Sequence, residues 1–87
     1  MRSEEDEDIC RVCGYSDGGL FYEDTWATNA ICPCCGAESG IQALSLQGAR
    51  EYRGYWIGQG ARWFRQKEQP PGWDLVKQLT KIPREWR

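Results

Sequence analysis

Two short cysteine hooks constrain the fold of this chain more than any other feature of its sequence. The first hook, residues 10–14, reads C-R-V-C-G, and the second, residues 32–36, reads C-P-C-C-G. Two residues between paired cysteines let the backbone curl until both sulfurs face one point, and the glycine that follows can take the positive φ that folds the chain back. Eighteen residues separate Cys13 from Cys32, a spacing typical of two-hook metal sites.

These hooks predict a closed tetrahedral metal centre. Its ligands would be four thiolates, each about 2.3 Å from a Zn²⁺ ion: Cys10, Cys13, Cys32 and Cys35. A chain of 87 residues has a small core, and small domains commonly add a metal or disulfides. A structural zinc ion contributes about 10–16 kcal/mol of binding free energy, which becomes folding free energy. Iron is the alternative ion, because four thiolates also hold a single iron that carries one electron.

The fifth cysteine, Cys34, stands beside Cys35, and we do not expect it to share the ion because adjacent side chains diverge. We interpret Cys34 as a small buried apolar residue or a spare thiol. Disulfides are the competing interpretation of the whole set. The odd number of cysteines, their paired spacing and an acidic N-terminus without a secretory signal favour metal. We therefore expect a cytoplasmic protein, and no apolar run approaches the roughly 18 residues that cross a bilayer.

Charge is divided unevenly along the chain. Residues 1–48 hold nine acidic and two basic side chains, whereas residues 49–87 hold four acidic and nine basic ones. The acidic run at residues 1–8 has nothing to pack with and predicts a disordered tail. Residues 9–87 are predicted to form one domain, in which the basic half can pack on the acidic half.

That domain divides into a ribbon and a helical part. Residues 9–40 are rich in turns and predict short β hairpins around the metal, with a strand entered near Tyr22. Residues 41–87 predict two helices, with Ser45 and Asp74 as their N-caps. The expected fold class is therefore small α+β.

The helical part carries two apolar stripes. The first helix is expected to be short or broken near its glycines, each of which costs about 1 kcal/mol relative to alanine. Its buried stripe includes Tyr52, Trp56 and Trp63. The second helix is expected to end before Pro83. Its buried face is predicted to contain four apolar residues: Leu75, Val76, Leu79 and Ile82.

Catalysis has little support in this sequence. The chain contains no histidine, which removes Ser-His, Cys-His and His-metal chemistry. It has no glycine loop of the phosphate-binding type, and four sulfur ligands leave no open position on a metal. We predict a protein that is not an enzyme, has no small-molecule substrate and acts by binding.

The two hooks resemble the metal knuckles of rubredoxins. C-R-V-C-G-Y at residues 10–15 and C-P-C-C-G-A at residues 32–37 are similar to the C-x-x-C-G-Y and C-P-x-C-G of that family, and Trp26 lies upstream of the second hook as an aromatic residue often does. The resemblance covers only residues 9–37, and the spacer is shorter than is usual in the family. It implies a rubredoxin-like zinc ribbon of short β hairpins ahead of the two C-terminal helices, or an iron electron carrier.

A second resemblance covers most of the chain. The C-x-x-C-G-Y hook, the C-P-C-C-G core, G-A-R-W-F at residues 60–64 and W-D-L at residues 73–75 resemble small bacterial cysteine-rich proteins marked by a C-P-C-C motif. Some members of that group are thought to be immunity proteins of polymorphic toxins. The resemblance implies a cytoplasmic zinc-ribbon protein that binds and inhibits a cognate toxin domain.

The spacer between the hooks supplies candidate residues for binding such a partner. Acidic side chains flank aromatic ones there, which suits a basic cleft. The candidate partner-binding residues are Asp17, Phe21, Tyr22, Glu23 and Asp24. A competing interpretation packs Phe21 and Trp26 over the hooks. We expect Trp26 in the core, because tryptophan is largely buried in most small domains.

Nucleic acid is the remaining alternative partner. Basic residues interleave with aromatic ones over residues 50–67, a pattern that can bind single strands by phosphate contact and base stacking. The sequence pI of about 5.1 lacks the basic footprint of a nucleic-acid-binding domain. Packing of arginine stems on aromatic faces is therefore the favoured interpretation.

Overall fold

The computed structural model describes residues 5–87, and the fold is small α+β, as predicted. The regular elements are β1 (Tyr22–Glu23), β2 (Trp26–Ala27), α1 (Leu46–Gly58), a 3-10 turn at Gln66–Glu68, α2 (Leu75–Leu79) and a second 3-10 turn at Arg84–Trp86. One cluster of buried side chains joins the two hooks, the hairpin and α1. Among the described residues, no helix is long and apolar enough to cross a membrane.

Helix α1 begins where its sequence predicts. The Ser45 hydroxyl accepts a hydrogen bond from the Gly48 N–H at 3.0 Å, which satisfies one of the free donors of the first turn. The helix continues through Gly54 and ends at Gly58. Trp63 lies beyond the helix but is buried in the same core. Trp56 and Trp63 are therefore buried as predicted and Tyr52 is partly buried, whereas Ile57 and Phe64, expected to widen the stripe, are exposed.

Helix α2 is shorter than expected. Leu75 and Leu79 pack against the core and Ile82 beyond the helix is buried, as predicted, but Val76 is not. Asp74 caps it by accepting from the Lys77 N–H at 3.1 Å, as predicted. The helix ends at Leu79, well before Pro83. Its fully buried residue is Gln78, whereas Val76 is 69% exposed. The predicted burial of Val76 is wrong, because a polar side chain takes the inward position.

The β hairpin reverses the predicted positions of its aromatic residues. Tyr22 pairs with Ala27 and Glu23 pairs with Trp26, and side chains directly opposite each other share one face of a sheet. Since Tyr22 is buried, Glu23 and Trp26 must face solvent. Trp26 is 78% exposed. The prediction that Trp26 lies in the core is therefore wrong.

Part of the acidic N-terminal run is tied to this hairpin. The Glu7 N–H donates to the Tyr22 carbonyl oxygen at 2.8 Å, and the Phe21 N–H donates to the Glu7 carbonyl oxygen at 2.8 Å. The Asp24 N–H donates to Asp6 Oδ1 at 2.8 Å. The expectation of a disordered tail over residues 1–8 stays a prediction, although the hairpin supplies hydrogen-bond partners for Asp6 and Glu7. Residues 1–4 lie outside the described part of the chain.

Candidate metal centre

The two cysteine hooks have the same backbone conformation. In the first, the Cys10 N–H donates to the Tyr15 carbonyl oxygen at 2.8 Å, and the Gly14 N–H donates to the Cys10 carbonyl oxygen at 2.9 Å. The second hook, residues 32–36, repeats both bonds at the same distances. Gly14 has φ +86° and Gly36 has φ +81°. Both glycines therefore take the positive φ that their position after a cysteine pair predicts.

The hooks bring four sulfur atoms together. The sulfurs of Cys10, Cys13, Cys32 and Cys35 all lie within 4.8 Å of one another. Between the hooks, the Cys10 and Cys35 sulfurs are 3.7 Å apart and the Cys13 and Cys32 sulfurs are 3.6 Å apart. A zinc tetrahedron with bonds of about 2.3 Å has edges of about 3.8 Å. All five cysteines are free thiols, so the predicted four are placed as a metal would need them.

Burial and mutual hydrogen bonding set the protonation of these thiols. All four are at most 5% exposed. Hydrogen bonds from the thiols of Cys13, Cys32 and Cys35 lower the pKa of Cys10, whose sulfur also accepts the backbone N–H of Cys13. Burial raises the pKa of Cys13, and the hydrogen bond with Cys10 raises the pKa of Cys35. Donation by the neighbouring thiols therefore favours the thiolate form of Cys10.

This donor set suits a soft divalent ion with no open position. Thiolates select zinc or iron over magnesium and calcium. Four sulfur ligands complete a tetrahedron, so neither water nor substrate has a place on the ion. The four cysteines could therefore hold a metal ion whose contribution is to the fold or to electron transfer.

Cys34 lies outside the group of four and is fully buried, as one of its two interpretations predicts. Its sulfur accepts a hydrogen bond from Gln78 Nε2 at 3.2 Å. The same amide nitrogen donates to the Cys13 carbonyl oxygen at 3.3 Å. Sequence reasoning missed Gln78. The available signal was a lone glutamine inside the apolar stripe of a short helix.

Two arginines fix the first hook to the rest of the fold: Arg11, which lies within the hook, and Arg53 of α1. The Arg11 Cζ atom lies 3.6 Å from the centroid of the Tyr22 ring and 4.0 Å from that of Trp86, so the guanidinium is sandwiched between the two rings. It also pairs with the Glu7 carboxylate. Arg53 of α1 donates to the carbonyl oxygens of Val12, at 2.6 Å, and of Arg11, at 2.8 Å. The basic half therefore packs on the first hook through backbone carbonyls and aromatic faces.

The candidate partner-binding residues divide into two groups. Asp17, Glu23 and Asp24 are exposed. Phe21 is 6% exposed and Tyr22 is 3% exposed, so both rings lie in the core rather than on the surface where a partner would meet them. The core of this small domain needs both rings, because α1 alone supplies few large apolar side chains. The exposed aromatic ring beside the acidic residues belongs to Trp26.

Comparisons with known proteins find no match to this chain. No protein-family model matches it, and neither the curated proteins nor the solved structures contain a match. The resemblances to rubredoxins and to C-P-C-C proteins stay predictions. A functional conclusion must therefore come from the geometry of the chain itself.

Proposed function

We propose that this protein is a zinc-stabilised binding protein that acts in the cytoplasm as the immunity protein of a bacterial toxin. The observation that carries the proposal is an exposed tryptophan set among acidic side chains, on a hairpin that packs against the four-cysteine cluster. The cluster supplies rigidity, and the hairpin supplies the contact surface.

The cluster supports a structural role for the metal. Its four thiols are buried, and an all-sulfur site has no coordination position left for a substrate. The cysteines of both hooks belong to the same hydrophobic core as the hairpin and α1. Zinc binding would therefore fix the shape of the surface through the hydrophobic core beneath it.

The contact surface that we propose is the hairpin tip, residues 23–26. Asp24 and Thr25 have φ +49° and +70°, which is a strained conformation for a β-branched residue such as Thr25. The Asp6 carboxylate holds the Asp24 N–H, and the strand pairing holds Trp26 outward. A rigid aromatic side chain costs little conformational entropy when it binds, which is typical of an interface anchor.

The charge of the hairpin tip favours a basic partner. Glu23 pairs with Trp26 across the hairpin, Asp24 lies in the turn between them, and Asp17 adds an exposed carboxylate in the same spacer. Acidic surfaces accelerate encounter with basic clefts and exclude acidic competitors. A toxin that cleaves or modifies nucleic acid has such a cleft, because its own substrate is anionic.

We expect Trp26→Ala to weaken toxin binding by about 30-fold or more, which corresponds to roughly 2 kcal/mol for a central aromatic anchor. The test is coexpression in bacteria with a toxin encoded next to the gene of this protein, scored by growth and by the affinity of the purified pair. Tyr55→Ala is the matched control, since Tyr55 is 66% exposed on α1, away from the hairpin tip.

Two results would contradict the proposal. One is wild-type protein that neither protects cells nor binds the toxin domain. The other is tight binding of single-stranded oligonucleotides with a steep salt dependence, which marks a nucleic-acid module. Equal losses for Trp26→Ala and Tyr55→Ala would leave the immunity role standing but place the contact elsewhere than the hairpin tip.

A further inference from the structure

Gln78 connects helix α2 to the cysteine cluster. It is only 9% exposed, and a buried amide is costly unless its polar atoms find partners. Its Oε1 accepts the Trp73 indole N–H at 2.7 Å, and its Nε2 donates to the Cys34 sulfur and to the Cys13 carbonyl oxygen. A leucine would fill the same space but would make none of these hydrogen bonds, so the amide group has a specific bonding role at this position.

The two acceptors of the Gln78 amide both belong to the hooks. The Cys13 carbonyl lies in the first hook, and fixing it limits how far the Cys13 side chain can turn away from the cluster. Cys34 lies in the second hook, fully buried beside Cys35. Gln78 therefore bonds one residue in each hook.

The backbone of α2 also presses on the first hook. A Cβ atom placed on Gly14 would lie 2.4 Å from the Gln78 carbonyl oxygen and 3.2 Å from the Ile82 nitrogen. The second hook is covered differently, by the Phe64 N–H donating to the Cys34 carbonyl oxygen at 2.9 Å. The backbone of helix α2 therefore packs against the first hook, and Gln78 is the α2 side chain that bonds to both hooks.

We propose that Gln78 is the positioning residue of the metal centre, which holds Cys13 and Cys34 in place and thereby slows metal release. This inference rests on the metal site of the proposed function. Residues of the second layer around a metal orient the ligands and change metal affinity by about 10–100-fold when they are replaced.

The test is the rate at which the zinc-loaded protein loses its metal to a chromophoric chelator. We expect Gln78→Leu to release zinc about 10–100-fold faster than wild type. Gln66→Leu is the matched control, because Gln66 lies exposed on a 3-10 turn, and it is expected to keep the wild-type rate. The Co²⁺-loaded proteins give a second readout, the sulfur-to-metal charge-transfer absorption. Gln78 bonds the Cys13 carbonyl oxygen and not a ligand sulfur, so the band reports a displacement of the Cys13 side chain, and Gln78→Leu is expected to shift it whereas Gln66→Leu is not.

The outcomes separate this inference from the proposed function. Wild-type protein that takes up neither Zn²⁺ nor Co²⁺ would overturn both. Metal-loaded wild type with an unchanged rate and spectrum in Gln78→Leu would overturn the inference alone. If Gln78→Leu does not fold, Trp73→Phe replaces it, because this change keeps a ring and removes the N–H that orients the amide. A faster release with a shifted band supports the inference, and unchanged values overturn it.

Discussion

Replacing Cys10 or Cys35 by alanine is expected to unfold the domain, whereas Cys34→Ala is expected to leave it folded. Losing one of four thiolates removes most of a binding free energy of about 10–16 kcal/mol, which is as large as the total stability of about 5–15 kcal/mol found in ordinary domains. Cys34→Ala removes one hydrogen bond and leaves the Gln78 amide short of an acceptor, a cost of about 1–3 kcal/mol. Thermal melts combined with elemental analysis of the purified variants measure both effects.

The result that would contradict this prediction is equal damage from all three substitutions. Wild-type protein that stays folded in a strong chelator, with no stoichiometric metal, would contradict the metal site itself. The same preparation identifies the ion. An iron-loaded protein is red because of thiolate-to-iron absorption, and a zinc-loaded protein is colourless.

Gly14→Ala is expected to destabilise the zinc-loaded protein far more than Gly36→Ala, although both glycines have nearly the same positive φ. That conformation costs any L-residue about 1–2 kcal/mol, so the strain is common to both variants. The difference comes from the surroundings. The new methyl group at Gly14 would overlap the Gln78 carbonyl oxygen, which is backbone, whereas at Gly36 it would lie 3.1 Å from the Phe64 ring.

The Phe64 side chain is 59% exposed and can rotate away, whereas the backbone of α2 cannot move without disturbing Ile82 and Gln78. We expect Gly14→Ala to cost about 1–3 kcal/mol more than Gly36→Ala, the usual range for overpacking. Urea unfolding of the two metal-loaded variants measures the difference. Equal midpoints would mean that α2 does not press on the first hook as tightly as its distances imply.

The sequence predicts this fold best where local chemistry decides the structure. The conformation of each hook and its positive-φ glycine follow from spacing within a few residues. The cluster of four thiols then follows from pairing two such hooks. The N-caps Ser45 and Asp74 are also correct, because an N-cap depends on a hydrogen bond to a residue three positions away.

The failures occur where a distant contact decides. The hairpin strands have two residues each, too few to show which alternate side chains face inward, and the burial of Tyr22 places Trp26 outside. An apolar stripe predicted burial of Val76, but the cysteine cluster offers acceptors that only the Gln78 amide can use. The β-bridge between Glu7 and Tyr22 likewise depends on a hairpin edge that the acidic run does not reveal.

The sandwich of Arg11 between Tyr22 and Trp86 has a consequence for the order of events at the ribosome. All four cysteines of the cluster are in the nascent chain once Cys35 has been added, and Trp86 follows about 50 residues later. At about 5–20 residues per second this interval lasts roughly 3–10 s. If the four thiols bind an ion during synthesis, they can therefore do so before Trp86 is available to clamp Arg11, and the last packing step would act on a hook whose shape the ion already holds.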